Sequence, residues 1–232
     1  MIILTDAAKY YKEQDHQDIA WDWLQDNIPI DTLNTFADMY RAGPSTDDQP
    51  KDVTELVSKY QLAGIWNCAE SLIEDREVVE LNDCLVTWDI IYPLRIKHFL
   101  SQTAHESGGG KWKKELSDGW YLEGRTDIGN TQPGDGPKFK GAGYIQLTGR
   151  ANYQRFSDWK ADDPLIMDIG CNHVADQYPF TSAGFWWTDN RMNELCDTNP
   201  SVEQVTLRVN GGYNGLEDRK YYYGRCDKYI KD

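Results

Sequence analysis

Apolar residues recur at three- and four-residue spacing along most of the chain, and no convincing set of alternating strands interrupts them. That pattern predicts a mainly α fold. Ile19, Ala20, Trp23 and Leu24 fall on one helical face, as do Leu33, Phe36 and Tyr40, so residues 1–42 read as a small helical segment. The run from Gly43 to Asp52 is polar, holds two prolines and marks a linker over 43–54. Short helices are expected between Val53 and Leu85. The strongest helix signal runs from Ile90 to Ser107: Pro93 suits a first turn, and Ile96, Phe99, Leu100 and Thr103 form an inward stripe that should stop at Gly108-Gly109-Gly110. Helical texture returns over Ala151–Trp159 and Phe180–Trp187. Ser201 followed by Gln204 reads as a capping box for a helix through Val209, and a last helix is expected over Leu216–Tyr229.

Residues 110–144 break the pattern. They are rich in glycine and polar groups and carry little periodicity, with room for a small β-hairpin nearby. A loop of that length in a compact domain is functional or disordered, and Trp112, Trp120, Tyr121, Phe139 and Tyr144 argue against disorder. Composition adds nine Trp and 14 Tyr, many for 232 residues, and aromatic faces can serve as cores or as platforms for sugars or bases. The formal net charge of −14 argues against nucleic acid, which needs clustered Lys and Arg. No run of about 18 apolar residues suggests a membrane span, and Met1-Ile2-Ile3-Leu4-Thr5-Asp6 lacks the features of a secretory signal. Synthesis and folding in a cytoplasm follow as expectations, with Cys68, Cys84, Cys171, Cys196 and Cys226 as reduced thiols.

Glu106 continues the inward stripe of its helix and occupies its last turn. Partial burial and the negative end of the helix both disfavour a charged carboxylate, which suits a general acid. Three following glycines would leave open space for a ligand. From spacing alone, an ordinary solvated Glu is the more common outcome. A second carboxylate is available among Glu115, Asp118, Glu123, Asp127 and Asp135. Glu123 is the better partner, flanked by Tyr121 and Gly124, with Arg125 placed to hold it ionised; Glu115 lies in a charged run that reads as a solvated face. His105 is a candidate either for tuning Glu106 or for a structural hydrogen bond. His16, His98 and His173 form no ligand-like group, so neither a metal nor another cofactor is expected.

The segment Phe139-Lys140-Gly141-Ala142-Gly143-Tyr144-Ile145-Gln146-Leu147-Thr148-Gly149-Arg150-Ala151-Asn152-Tyr153 resembles the signature of family 19 glycoside hydrolases, the chitinases of plants and bacteria and related phage endolysins. The upstream His105-Glu106-Ser107 and the stretch from Tyr121 through Gly136 extend the likeness, the latter toward the phage and bacterial lysozyme-like branch. It spans about residues 55–232. The resemblance implies a lysozyme-like helical catalytic domain with a long glycine-rich active-site loop. It implies Glu106 as general acid, Glu123 as the base that activates water, and Thr148 as the hydroxyl that holds that water. His105, Tyr121, Gln146, Asn152, Asn210 and Arg219 are its implied substrate-binding residues. The family is inverting, so the two carboxyls should stand about 6.5–9.5 Å apart or somewhat more. Ala142 departs from the pattern, since many members carry Arg there, and this bears on cleft polarity.

Chitin and peptidoglycan strands are both β-1,4-linked amino-sugar polymers. The endolysin-like texture and the start of the chain favour peptidoglycan, with chitinase activity as the alternative. A third reading is a non-catalytic tail or wall-binding protein, and phage tail proteins then join the expected partners. Action on the cell wall after cytoplasmic synthesis, or association with a virion tail, is the expected location. Residues 1–42 are expected to be a helical extension packed on the catalytic domain rather than a wall-binding module.

Overall fold

Hydrogen-bonded helices, rather than sheets, organise the computed structural model, which describes residues 55–231. The helical segment expected over 1–42 and the linker of 43–54 lie outside the described residues. The helices are α1 (Lys59–Trp66), α2 (Asp75–Thr87), α3 (Pro93–Glu106), α4 (Asp135–Lys138), α5 (Arg150–Lys160), α6 (Leu165–Ile169), α7 (Cys171–Gln177), α8 (Pro179–Asp189), α9 (Met192–Cys196), α10 (Val202–Asn210) and α11 (Leu216–Tyr229). The expected hairpin amounts, among the described residues, to two isolated antiparallel bridges, Lys114 with Ala142 and Ala142 with Leu147. No helix among the described residues is long and apolar enough to cross a membrane.

Helix α3 is the central rod. Every residue from Arg95 to Ala104 is buried, which goes beyond the one-sided stripe its sequence predicts. Its buried hydroxyls are satisfied within the helix: Ser101 donates to the His98 carbonyl at 2.9 Å and Thr103 to the Phe99 carbonyl at 2.9 Å. Around it, α1, α2, α8, α10 and α11 contribute Leu62, Ile65, Leu81, Leu85, Phe180, Trp187, Val205 and Cys226 to one apolar core. Helix α10 starts as its capping box predicts. The Gln204 amide N–H donates to Ser201 Oγ and the Ser201 N–H to Gln204 Oε1, satisfying two otherwise orphaned donors.

A second core lies under the long loop, built from Phe139, Ala142, Leu147, Tyr153, Phe156, Ile166, Cys171 and Val174. The glycine-rich signature segment stitches the two together. Phe139, Ala142 and Leu147 belong to the second core, whereas Tyr144 and Ile145 belong to the first. Ala142 is fully buried and held in both bridges. Its side chain is therefore interior. Tyr144 packs edge-on against Phe180, with ring centres 4.4 Å apart. Its hydroxyl donates to buried Glu77, which also receives Lys113 Nζ at 2.7 Å. This buried cluster ties α2 to the loop and to the signature segment. All five cysteines are free thiols, four of them buried.

The three glycines after Glu106 all have left-handed φ angles of 59° to 79°. They do not create open space. A Cβ on Gly108 would meet the Trp112 indole, one on Gly109 the Trp66 carbonyl oxygen at 2.9 Å, and one on Gly110 the Trp66 ring. Glycine is needed there for backbone conformation and for close packing.

Candidate active site

Glu106 ends α3 at the edge of the first core, with its side chain 22% exposed. The fully buried guanidinium of Arg219, in the first turns of α11, forks across it. Arg219 Nη2 donates to Glu106 Oε1, Nη1 donates to Gln102 Oε1 at 2.5 Å, and Nε donates to the Asn214 carbonyl at 3.2 Å. Gln102 lies one helical turn before Glu106, and its amide nitrogen reaches the hydroxyl of Thr206 on α10 at 3.5 Å. The carboxyl is thus neither an ordinary solvated surface group nor unpaired. The sequence reading of Glu106 considered burial and the helix end but not this counter-charge, which comes from a residue 113 positions away.

His105 is held against the start of α11. Its Nδ1 meets Asp218 Oδ2 at 2.7 Å, and its ring lies flat against Gly215, where an added Cβ would sit 1.9 Å from Cε1. Gly215 has φ 69° and is the N-cap of α11. The loop Asn214-Gly215 therefore touches both Arg219, through the Asn214 carbonyl, and His105, through Gly215.

The carboxylates of the long loop divide by their partners. Asp135 is 1% exposed and locked in a bidentate pair with Arg150, at 2.8 and 2.6 Å. Asp127 pairs with Arg125 at 2.7 Å, so Arg125 does not hold Glu123 as the sequence suggested. Asp118 accepts the Trp120 amide at 3.1 Å. Glu123 is half-buried, and both its oxygens accept backbone N–H groups, from Gly134 and Gly136, each at 2.8 Å. Glu115 is also half-buried rather than part of a solvated face. Its oxygens accept the Ser117 hydroxyl at 2.6 Å and the Gly141 amide at 3.1 Å, and the Tyr121 hydroxyl also reaches it. Burial works to raise its pKa, but the bonds from Ser117, Tyr121 and Gly141 and the nearby Lys140 ammonium outweigh it, holding Glu115 below the usual carboxylate range.

The remaining candidates separate into two sets. Gln146, Thr148 and Asn152 are consecutive links around the signature turn. Gln146 has a left-handed φ of 57° and donates through Nε2 to the Gly143 carbonyl at 3.1 Å. Thr148 Oγ1 donates to the Gln146 carbonyl at 2.8 Å, and Asn152 Nδ2 to the Thr148 carbonyl at 2.8 Å. A non-glycine residue held at positive φ costs about 1 kcal/mol and marks a turn fixed by its surroundings. Gln146 Oε1 also lies over Gly141, whose amide holds Glu115, so this turn adjoins Glu115. Asn210 is exposed at the last turn of α10, and Tyr121 is 61% exposed beside Glu115. Sequence reasoning missed Gln102 and Asp218. Gln102 carried a usable signal, since a buried polar residue four before Glu106 shares its helical face.

A mainly helical domain, with a carboxyl at the end of a buried central helix and further carboxylates on a long glycine-rich loop, fits a glycoside hydrolase. The comparisons with known proteins sharpen that class. Over 156 residues, the chain is 31% identical to a Haemophilus influenzae protein described as a glycosyl hydrolase family 19 domain-containing protein; the match takes in 54% of this chain and 74% of that one. Among solved structures, chitinase C from Streptomyces griseus superposes with a TM-score of 0.58 at 17% identity, over 76% of this chain and 93% of that one. A class IV family 19 chitinase from Zea mays gives 0.59 at 17% identity, over 76% and 94%. No family model matches the chain. The chain belongs to glycosyl hydrolase family 19.

Proposed function

We propose that this chain is an endolysin-like hydrolase that cleaves β-1,4 linkages of peptidoglycan by an inverting acid/base mechanism. The observation that carries the reading is Glu106, half-sheltered at the end of α3 and fixed there by the buried Arg219 fork. In the proposed reaction Glu106 protonates the leaving-group oxygen, and a loop carboxylate takes a proton from water attacking the opposite face of the sugar ring. Support for peptidoglycan comes from the stretch 121–136 and its likeness to the lysozyme-like branch. The chitinases among the structural neighbours support chitin as the competing substrate. Digestion of purified peptidoglycan, read by mass spectrometry, tests this. A reducing-end MurNAc product identifies a muramidase and reducing-end GlcNAc a glucosaminidase. Cleaved stem peptides, or release of chitooligosaccharides alone, overturn the reading. Proton NMR of the fresh product checks inversion by the anomer formed first. Glu106→Gln is expected to abolish lysis.

For the base, hydrogen bonding supports a second candidate. Glu123 organises the loop through two fixed backbone donors. Glu115 is held in part by rotatable hydroxyls, has its pKa held below the usual carboxylate range and adjoins the turn that carries Gln146 and Thr148. Hydroxyls can turn away to admit water, whereas the amides of Gly134 and Gly136 cannot. If Glu123 is the base, Glu123→Gln lowers kcat far more than it lowers Tm, and Glu115→Gln does not. If Glu115 is the base, Glu115→Gln loses about 10²-fold or more in kcat, and Glu123→Gln mainly destabilises the loop. Thr148→Val separates water positioning, which lowers kcat, from loop support, which lowers Tm.

A further inference from the structure

The Arg219 guanidinium is fully buried, yet the one carboxyl it pairs with among the described residues must change protonation if Glu106 donates a proton. A buried cation whose only counter-charge is neutralised is costly and tends to leave its place. The structure supplies two neutral acceptors that do not titrate: the Gln102 side-chain oxygen and the Asn214 carbonyl. Gln102 is itself fully buried, and only one orientation of its amide serves. The oxygen must face the guanidinium, since the amide NH2 would set donor against donor. Thr206, also fully buried, lies 3.5 Å from the Gln102 nitrogen and can accept from it, so in that orientation both ends of the amide have a partner. Three helices thus meet in one buried polar chain, Thr206 of α10, Gln102 of α3 and Arg219 of α11, ending on Glu106. A carboxylate at position 102 would also hold Arg219, but it would compete with Glu106 for the cation.

We infer that Gln102, oriented by Thr206, is a positioning residue that keeps the Arg219 guanidinium beside Glu106 in both protonation states of that carboxyl. This rests on the proposed role of Glu106 as proton donor, and two measurements keep the ideas separable. The first needs no activity. Glu106→Gln imitates the neutral carboxyl. In that variant the Arg219 Nε–H, followed by nitrogen-15 NMR, should remain protected from solvent exchange. In the double variant with Gln102→Met, protection should fall at least tenfold; equal protection in the two overturns the inference. The second is kinetic, on purified peptidoglycan and on chitin oligosaccharides. Gln102→Met and Gln102→Glu should each lower kcat about tenfold or more with KM within twofold. Thr206→Val, which keeps shape and removes only the hydroxyl, should give a smaller loss that Thr206→Ser restores. Wild-type kcat in Gln102→Met, with Glu106→Gln inactive, sinks the positioning role alone. An active Glu106→Gln sinks the proton-donor reading, while the exchange measurement still decides where Gln102 holds Arg219. Should Gln102→Met fail to fold, Thr206→Val against Thr206→Ser decides the same question: equal kcat in the two overturns it.

Discussion

Gly215 shows how narrow the tolerance is around Glu106. Its φ of 69° is strained for any side chain, and a Cβ there would enter the His105 ring. Neither neighbour can yield cheaply, because His105 is tied to Asp218 and the adjacent Asn214 carbonyl holds Arg219. Gly215→Ala should therefore cost about 1–2 kcal/mol from backbone strain alone, seen as a lower Tm. It should also lower kcat, because His105 and the Asn214 carbonyl must move to make room. An unchanged kcat alongside the lowered Tm would show that the placement of His105 and Arg219 does not bear on the reaction. Among the loop carboxylates, Glu123→Gln leaves one backbone donor facing an amide NH2. A cost of about 1–3 kcal/mol follows, measurable by thermal unfolding and by faster amide exchange at Gly134 and Gly136.

At the scale of elements, the loop is held by pairs that no local pattern announces. Asp135 and Arg150 are 15 residues apart, and Asp135 also accepts the Thr131 and Gln132 amides at 3.0 and 2.9 Å. Arg150 lies over the Phe139 ring, 4.7 Å from its centre. Arg150→Met would strand a buried carboxylate, and breaking such a pair costs about 3 kcal/mol. The loss should appear as a cooperative drop in Tm with protease sensitivity concentrated between residues 110 and 144. If cleavage is no faster there than in the parent, the pair does not anchor the loop. Helices with a strong periodic face or a defined cap were legible beforehand. The α11 bounds, the α10 capping box and the Pro93 start of α3 all agree with the pattern. Helices α6, α7 and α9 were not anticipated, because each has seven residues or fewer and no full amphipathic repeat. Glu106, His105 and Arg219 were legible as candidates, and Glu106 and Arg219 meet in space while His105 binds the same end of α11. Their connections were not legible, because the partners lie over a hundred residues apart. Glu115 was misjudged because its charged neighbours Lys113 and Lys114 turn away to Glu77 and Asn172.

Across the whole molecule, a buried helix with polar residues makes stability depend on pH. His98 lies at the middle of α3 with no exposed surface, its ring 4.7 Å from that of Tyr223 on α11. Burial pushes its pKa down to about 4, outweighing the contrary pull of the Pro200 backbone and the Asp227 carboxylate. Unfolded histidine titrates near 6.5, so between pH 6.5 and 4 the unfolded chain binds a proton that the folded chain refuses. Stability from this group is then complete above pH 6.5 and is lost as pH falls toward 4. At 1.36 kcal/mol per pH unit the full loss is about 3 kcal/mol. Salt-bridged carboxylates such as Asp135 and Asp197 are held below their usual range and act at lower pH. Glu80 shares the His98 window with the opposite sign: burial raises its carboxyl to about 7 against the hydrogen bonds from Thr181 and Phe180, so its contribution to stability grows as pH falls from 7 to 4.5. Because the two groups oppose each other, urea unfolding from pH 7 to 4.5 reads the His98 share as the difference between the parent chain and a variant without the imidazole. His98→Phe keeps a ring against Tyr223 and removes the titration, so its midpoint should climb relative to the parent's as pH falls over that interval, whatever its absolute stability at pH 7. Parallel slopes in the two proteins would assign the acid sensitivity to other groups. Because α3 carries both His98 and Glu106, acid loosening of the core would reach the Glu106 carboxyl through one continuous helix. Activity on peptidoglycan at pH 5 should then fall less in His98→Phe than in the parent, after both are normalised to pH 7.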